Sequence, residues 1–159
     1  MPRLSANLGF LWADLALPEA IRAAARAGFD AVECHWPYAF DPGAVRAALD
    51  ETGLEMLGLN TVRGGAGENG LLALPGREAE ARAAIAQALD YAGRIGCKAV
   101  HVMAGFAEGP AAEAAFDQLE AASHHFHDQQ VQHGGPQVDL EVEAARERHR
   151  PGHAGRGAD

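Results

Sequence analysis

Asn60 to Gly105 reads NTVRGGAGENGLLALPGREAEARAAIAQALDYAGRIGCKAVHVMAG, and this stretch decides the fold. Asn60 closes a strand-like run, Leu54–Leu59 (LEMLGL). Gly64, Gly65, Gly67 and Gly70 make the following segment a loop. Pro75 and Gly76 then lead into a helix expected over Arg77 to Ile95, with Ala81, Ile85, Ala88, Leu89 and Ala92 as its apolar stripe. Gly96 ends that helix, and Ala99–Met103 (AVHVM) is a new strand running into Ala104-Gly105. Strand, loop, helix, strand is one βαβ unit. Its long loop follows the C-terminal end of a strand, where such units carry chemistry.

The chain upstream repeats the pattern. Leu4–Leu8 is a short first strand with Asn7 near its end, and Pro18 sits in the first turn of the helix PEAIRAAARAG, which stops at Gly28. Ala31–His35 is a second strand, broken by Trp36-Pro37-Tyr38 because proline removes a ladder donor. Asp41, a capping residue with Pro42 behind it, opens a helix running to Gly53. Downstream, a fourth helix is expected from Pro110 to about Ala122. Four βα units in strict alternation predict an α/β fold, a parallel sheet with helices outside. A spacing of about 25 to 40 residues per unit suits the first half of a (β/α)8 barrel, and an open four-unit sheet is the rival. No GxGxxG follows the first strand, so a dinucleotide fold has no support.

Length and composition set limits. At 159 residues the chain is one domain, and a net charge of −9 disfavours nucleic acid or an anionic membrane as partner. No apolar run is long enough to span a bilayer and MPRLSANLGF lacks a signal-peptide core, so the cytoplasm is the expected compartment. Cys34 and Cys97 are placed near opposite ends of a strand-length and read as reduced core thiols.

After about Phe116 the text changes character. Six of the eight histidines lie between Asp117 and Asp159, and HHFHDQQVQHGGPQVD has no useful period. Residues 117–159 are therefore expected to be an atypical, irregular tail, disordered or derived from a frameshift or truncation. VDLEVEAARERHR within it reads as a charged helix. His124, His125, His127 and His133 read as adventitious surface metal binding, lacking a fixed ligand geometry.

Several segments together resemble the hydroxypyruvate isomerase family of xylose isomerase-like TIM barrels: SANL at Ser5–Leu8, GFDAVE at Gly28–Glu33 with Pro37-Tyr38 behind it, LGLN at Leu57–Asn60, GENGLLALPGREAEAR at Gly67–Arg82 and VHVMAG at Val100–Gly105. The resemblance covers about the first 115 positions, 1–116 being the half-barrel domain. It implies an isomerase of glyoxylate metabolism that interconverts hydroxypyruvate and tartronate semialdehyde by proton transfer through an enediol. It further implies a pair of glutamates, often with a divalent metal, on strands of the barrel's second half. The first of these belongs to an EPIN-like motif on strand five. No EPIN-like segment follows Gly105, so the expectation is that strands five to eight and the catalytic residues are absent, with no cofactor or metal site in this chain.

The remaining candidates are substrate-binding. Glu33 ends strand two, where it can bond substrate hydroxyls or merely hold a loop. Asn7 and Asn60 end strands one and three as amide donors, or as caps of the loops that follow. His101 shares a face of strand four with Met103, opposite Val100 and Val102, and serves as donor or as packing residue. His35 is a weaker analogue on strand two. Arg77 offers a bidentate carboxylate clamp near Glu68, against a solvated helix-start pairing with Glu78 and Glu80. The loop glycines suit a flexible lid. The chain by itself is expected to have little isomerase activity and to self-associate through open sheet edges at strands one and four. The alternatives are a sugar isomerase or ketose epimerase of the same superfamily, and a non-catalytic half-barrel that binds a partner barrel.

Overall fold

A computed structural model describes residues 2–106, positions 110 and 114, and a strand at 139–143. In chain order the elements are β1 (Ser5–Asn7), α1 (Leu17–Arg26), β2 (Ala31–Glu33), a 3-10 turn (Pro37–Ala39), α2 (Pro42–Thr52), β3 (Glu55–Met56), β4 (Leu59–Asn60), α3 (Glu78–Ile95), β5 (Ala99–Met103) and β6 (Asp139–Glu143).

Each helix starts and stops for a local reason. Pro18 occupies the first turn of α1, and the Asp41 carboxylate accepts from Ala44 N at 2.9 Å to cap α2. Gly53 and Gly96 take φ of 70° and 76° just past α2 and α3, the left-handed turn that lets a helix end.

All strand pairs are parallel, in the orders β1-β2-β3 and β4-β5-β6. The third expected strand is thus two short pieces. Backbone bonds carry β2 across the break: Leu57 N to Val32 O (2.8 Å), Cys34 N to Gly58 O (3.1 Å) and Asn60 N to His35 O (2.8 Å). The first piece pairs with β2 and the second with β5, so the chain steps across without losing its ladder.

The helices cover one face of this sheet. Ala6, Val32, Met56, Leu59, Val100 and Val102 point at them and are buried, with Ile21, Ala24, Val45, Ala48, Ala88 and Ala92 packed opposite. Alanines at the helix–sheet contact leave no bulk to hold the layers apart. Asn7, Glu33, Asn60 and His101 alternate with the buried residues and stay partly open, so they occupy the other face. Cys34 and Cys97 are free and buried, and burial pushes both thiols up, as expected of packing residues rather than nucleophiles.

Two expectations about the C-terminal region are corrected. The first part of VDLEVEAARERHR is a strand, not a helix: Asp139–Glu143 pairs with Ala99–Met103 over five residues. Val and Leu alternating with acids have the period of a strand, and the open edge of β5 supplies the ladder. A fifth barrel strand is therefore present, and β5 is not an open edge. The fourth helix falls outside the described residues, apart from Pro110 and Ala114, which are helical. The histidines at 124–133 also lie outside them.

Candidate functional site

Strand ends build the site. Beside β1, β2, β4 and β5 lies a cavity of about 720 Å³, lined by Asn7, Glu33, His35, Asn60 and His101 among others. Four of the six predicted binding residues, Asn7, Glu33, Asn60 and His101, are brought together there, with His35 beside them. The register explains why: Asn7 pairs with Glu33 and Asn60 with His101 across adjacent parallel strands, so their side chains stand side by side.

The individual groups are held differently. Asn7 Oδ1 accepts from Gly9 N at 2.9 Å, which fixes the amide and leaves its NH2 as a donor. Glu33 accepts from Ser5 Oγ at 3.2 Å, so one carboxylate oxygen is anchored on the neighbouring strand. The Asn60 backbone is pinned by the Tyr38 hydroxyl at its carbonyl, while its side-chain amide has no hydrogen-bond partner among the described residues. Thr61, 2% exposed, ties the site to β5 by accepting from Met103 N at 2.9 Å and donating its own N–H to His101 O.

His35 sits against Phe10 (ring centroids 4.9 Å apart) and Trp36 (5.1 Å). Burial lowers its pKa below the usual imidazole value, Glu33 opposes this, and the charges of Arg63 and His101 add to the lowering. Neutral at physiological pH, it is a donor or acceptor, not a cation. Gly9 makes room for it, since a Cβ there would stand 2.2 Å from His35 Nδ1.

Glu68 and Arg77 are not at this cavity. Arg77 bridges Glu68 and Glu80, and both carboxylates raise its already high pKa. A guanidinium already forked between two carboxylates has no free edge for a substrate acid. The ion-pair reading of Arg77 prevails, with Glu68 and Glu80 as partners, and Glu68 works inside the loop, accepting from Gly65 N.

The loop is not a free lid. Gly70 forms an antiparallel bridge with Ala104, and four bonds sew the segment down. These are Gly70 N to Arg63 O, Gly105 N to Asn69 O, Leu71 N to Met103 O and Ala73 N to Ala104 O. Leu71 and Ala73 are buried beneath it.

Trp36 and Arg63 were missed by the sequence reading. Each follows a site residue closely, Trp36 after His35 and Arg63 three positions after Asn60, which is the signal that pointed to them. Trp36 Nε1 donates to Thr61 O at 3.1 Å, and Arg63 Cζ lies 5.0 Å from the Trp36 ring centroid. The strand position of Glu143 was missed as well. The backbone register sets it opposite Met103 at the last position of β6, the C-terminal end of a fifth parallel strand. Among the described residues no three His, Cys, Asp or Glu side chains converge as a metal-ligand set, so Glu33, His35 and His101 do not by themselves make a divalent-cation site. No helix among the described residues is long and apolar enough to cross a membrane.

Comparison with known proteins agrees with this geometry. A 2-oxo-tetronate isomerase of Cupriavidus necator is 48% identical over 107 residues, covering 66% of this chain and 41% of that protein. A human protein provisionally named hydroxypyruvate isomerase is 47% identical over 106 residues, covering 65% and 38%. The chain thus spans about two fifths of the length of these curated relatives. Among solved structures, a family 2 AP endonuclease of Brucella melitensis superposes with a TM-score of 0.77 at 33% identity, covering 89% of this chain and 55% of that one. A D-allulose 3-epimerase of Methylomonas sp. shares the fold at a TM-score of 0.64 and 21% identity, covering 88% and 50%. The pattern of the xylose isomerase-like TIM barrel family matches residues 21–154. With parallel βα units, a site at the strand ends and that match across most of its length, the chain belongs to the xylose isomerase-like TIM barrel family.

Proposed function

We propose that this chain carries the substrate-binding half of an isomerase acting on a short hydroxy-keto acid, interconverting hydroxypyruvate and tartronate semialdehyde. Cytoplasmic glyoxylate metabolism is the setting proposed for it. The observation that carries the reading is the convergence of Asn7, Glu33, Asn60 and His101 on one cavity at the ends of parallel strands, joined to relatives named as isomerases of such acids.

The chemistry asks for three things. A base removes a proton from C3 of hydroxypyruvate, electron density moves onto the C2 carbonyl oxygen, and a proton is returned to C2 as the C3 carbonyl forms. The Asn60 amide, unbonded among the described residues, and the fixed NH2 of Asn7 are suited to the developing oxyanion. Glu33, anchored by Ser5, is suited to a substrate hydroxyl. Neutral His35 can donate to oxygen without adding charge, and the His101 imidazole lines the same cavity.

The test is binding. Hydroxypyruvate is expected to shift the Asn60 side-chain amide and His101 backbone amide signals in a 1H–15N spectrum, and Asn60→Ala to weaken the His101 response. Glu33→Ala is expected to weaken hydroxypyruvate binding while the fold stays intact. A chain that binds no hydroxy-keto acid at these residues refutes the reading. Binding of neutral ketoses in preference to the acid would move the substrate to the epimerase class.

A further inference from the structure

Arg77 was the natural carboxylate clamp, and the fold consumes it. Another guanidinium nonetheless lies near the cavity, close enough for its charge to act on His35 in the cavity wall. Arg63 follows Asn60 by three residues and lies over the ring of Trp36, whose neighbour His35 lines the cavity. Its surroundings are those of a prepared anion site. Trp36 is locked by its indole bond to Thr61 O, and Thr61 is itself buried and bonded to β5. Asn69 Oδ1 accepts from one Arg63 terminal nitrogen, and Gly70 N holds the Arg63 carbonyl, so backbone and side chain are both fixed.

Among the described residues Arg63 has no ion-pair partner. All six ion pairs among the described residues involve other cations: Arg22, Arg46, Arg77, Arg94 and Lys98. Arg63 has a neutral amide and an aromatic face instead. A guanidinium makes five N–H donors in a planar fork, and one amide oxygen uses only a small part of that capacity. Stacking on indole also removes water from one face of the group, which strengthens what its free edge binds. The charge is felt at the cavity wall, where it helps to lower the His35 pKa.

We propose that Arg63, stacked on Trp36 and steadied by Asn69, binds the substrate carboxylate and selects 2-oxo and 2-hydroxy acids over neutral ketoses at this site. The inference rests on the isomerase site described above and names its specificity-determining residue. Asn60 and Arg63 lie three residues apart on the same exit from β4, so one small acid is proposed to present its C2 oxygen to the first and its carboxylate to the second.

The test compares hydroxypyruvate with dihydroxyacetone, which replaces the carboxylate by CH2OH and keeps the hydroxy-ketone. Binding is followed by 1H–15N spectra at the Asn60 side-chain amide and at His101. The full chain is expected to bind hydroxypyruvate about tenfold or more tightly than dihydroxyacetone. Arg63→Gln should bring that ratio near unity with dihydroxyacetone binding retained, and Arg63→Lys should fall between, keeping charge without the fork. Arg77→Gln should leave the ratio unchanged. An undiminished preference in Arg63→Gln overturns the proposal, as does a ratio near unity in the unaltered chain or a collapse in Arg77→Gln. If neither ligand shifts Asn60 or His101, the site reading itself fails and this inference falls with it.

Discussion

Gly70→Ala is the most demanding single test of the architecture around the site. Gly70 has φ of +123°, in the region side chains avoid, and its backbone crosses that of β5 at close range. A Cβ built there would stand 2.1 Å from Met103 O, 2.2 Å from Met103 C and 2.5 Å from Gly105 N. These neighbours are backbone atoms of β5 and the residues just after it, so no side chain can swing aside. Restoring ordinary contact needs the loop to move off by about 1 Å or more, which carries N···O separations of 2.7–3.2 Å out of hydrogen-bonding range. Up to four bonds are at stake, at about 1 kcal/mol each. Remaining docked instead costs about 1–3 kcal/mol of backbone strain besides the clash. The expected loss is therefore about 2–4 kcal/mol, measured by urea unfolding. The distinctive readout is hydrogen exchange: the Leu71, Ala73 and Gly105 amides should lose protection more than the amides of α1 and α2. A variant within about 0.5 kcal/mol of the parent, with Leu71 and Ala73 still protected, would refute the argument that this loop is pinned by backbone contact.

Other predictions follow from single contacts. Asp41→Ala removes the cap of α2 and should cost about 1 kcal/mol in urea unfolding; Asp41→Asn should restore most of it. Ile21→Ala, at a fully buried position between α1 and the sheet, should cost about 2–5 kcal/mol, and a loss below about 1 kcal/mol would show that the site collapses around the void. His35 should titrate below the ordinary imidazole midpoint because burial disfavours its charged form, and Glu33→Gln should lower the midpoint further by removing the opposing carboxylate. The unfolded chain then takes up the proton first as pH falls. Stability should decline from the unfolded midpoint, about pH 6.5, down to the lower folded one, and be insensitive to His35 above that window. An NMR midpoint for His35 at or above 6.5 contradicts this, as does a His35→Asn variant with unchanged pH dependence.

Much of this molecule was legible in one dimension because its cues are local. Asp41-Pro42, Gly53 and Gly96 mark helix ends through backbone conformations that depend on nearest neighbours alone, and α2 and α3 begin and end within a residue of where those cues put them. Strict βα alternation fixed the parallel sheet. Alternation within AVHVM separated His101 and Met103 from the buried Val100 and Val102, and the same period brought Asn7, Glu33 and Asn60 to one face.

Tertiary structure decided what depends on partners distant in sequence. Arg77 looks like a clamp until the fold brings Glu68 against it, nine positions away, while Arg63 gains its ring only because the end of β2 lies beside the end of β4. The glycine loop has the composition of a lid, yet Gly70 is a glycine because β5 passes too close for any Cβ. Asp139–Glu143 has a strand's period in a segment too acidic and too isolated to declare itself; the open edge of β5, supplied by residues forty positions earlier in the chain, makes it a strand. Local conformational preference is written residue by residue, whereas charge pairing, close backbone approach and strand addition exist only once the chain has folded back on itself.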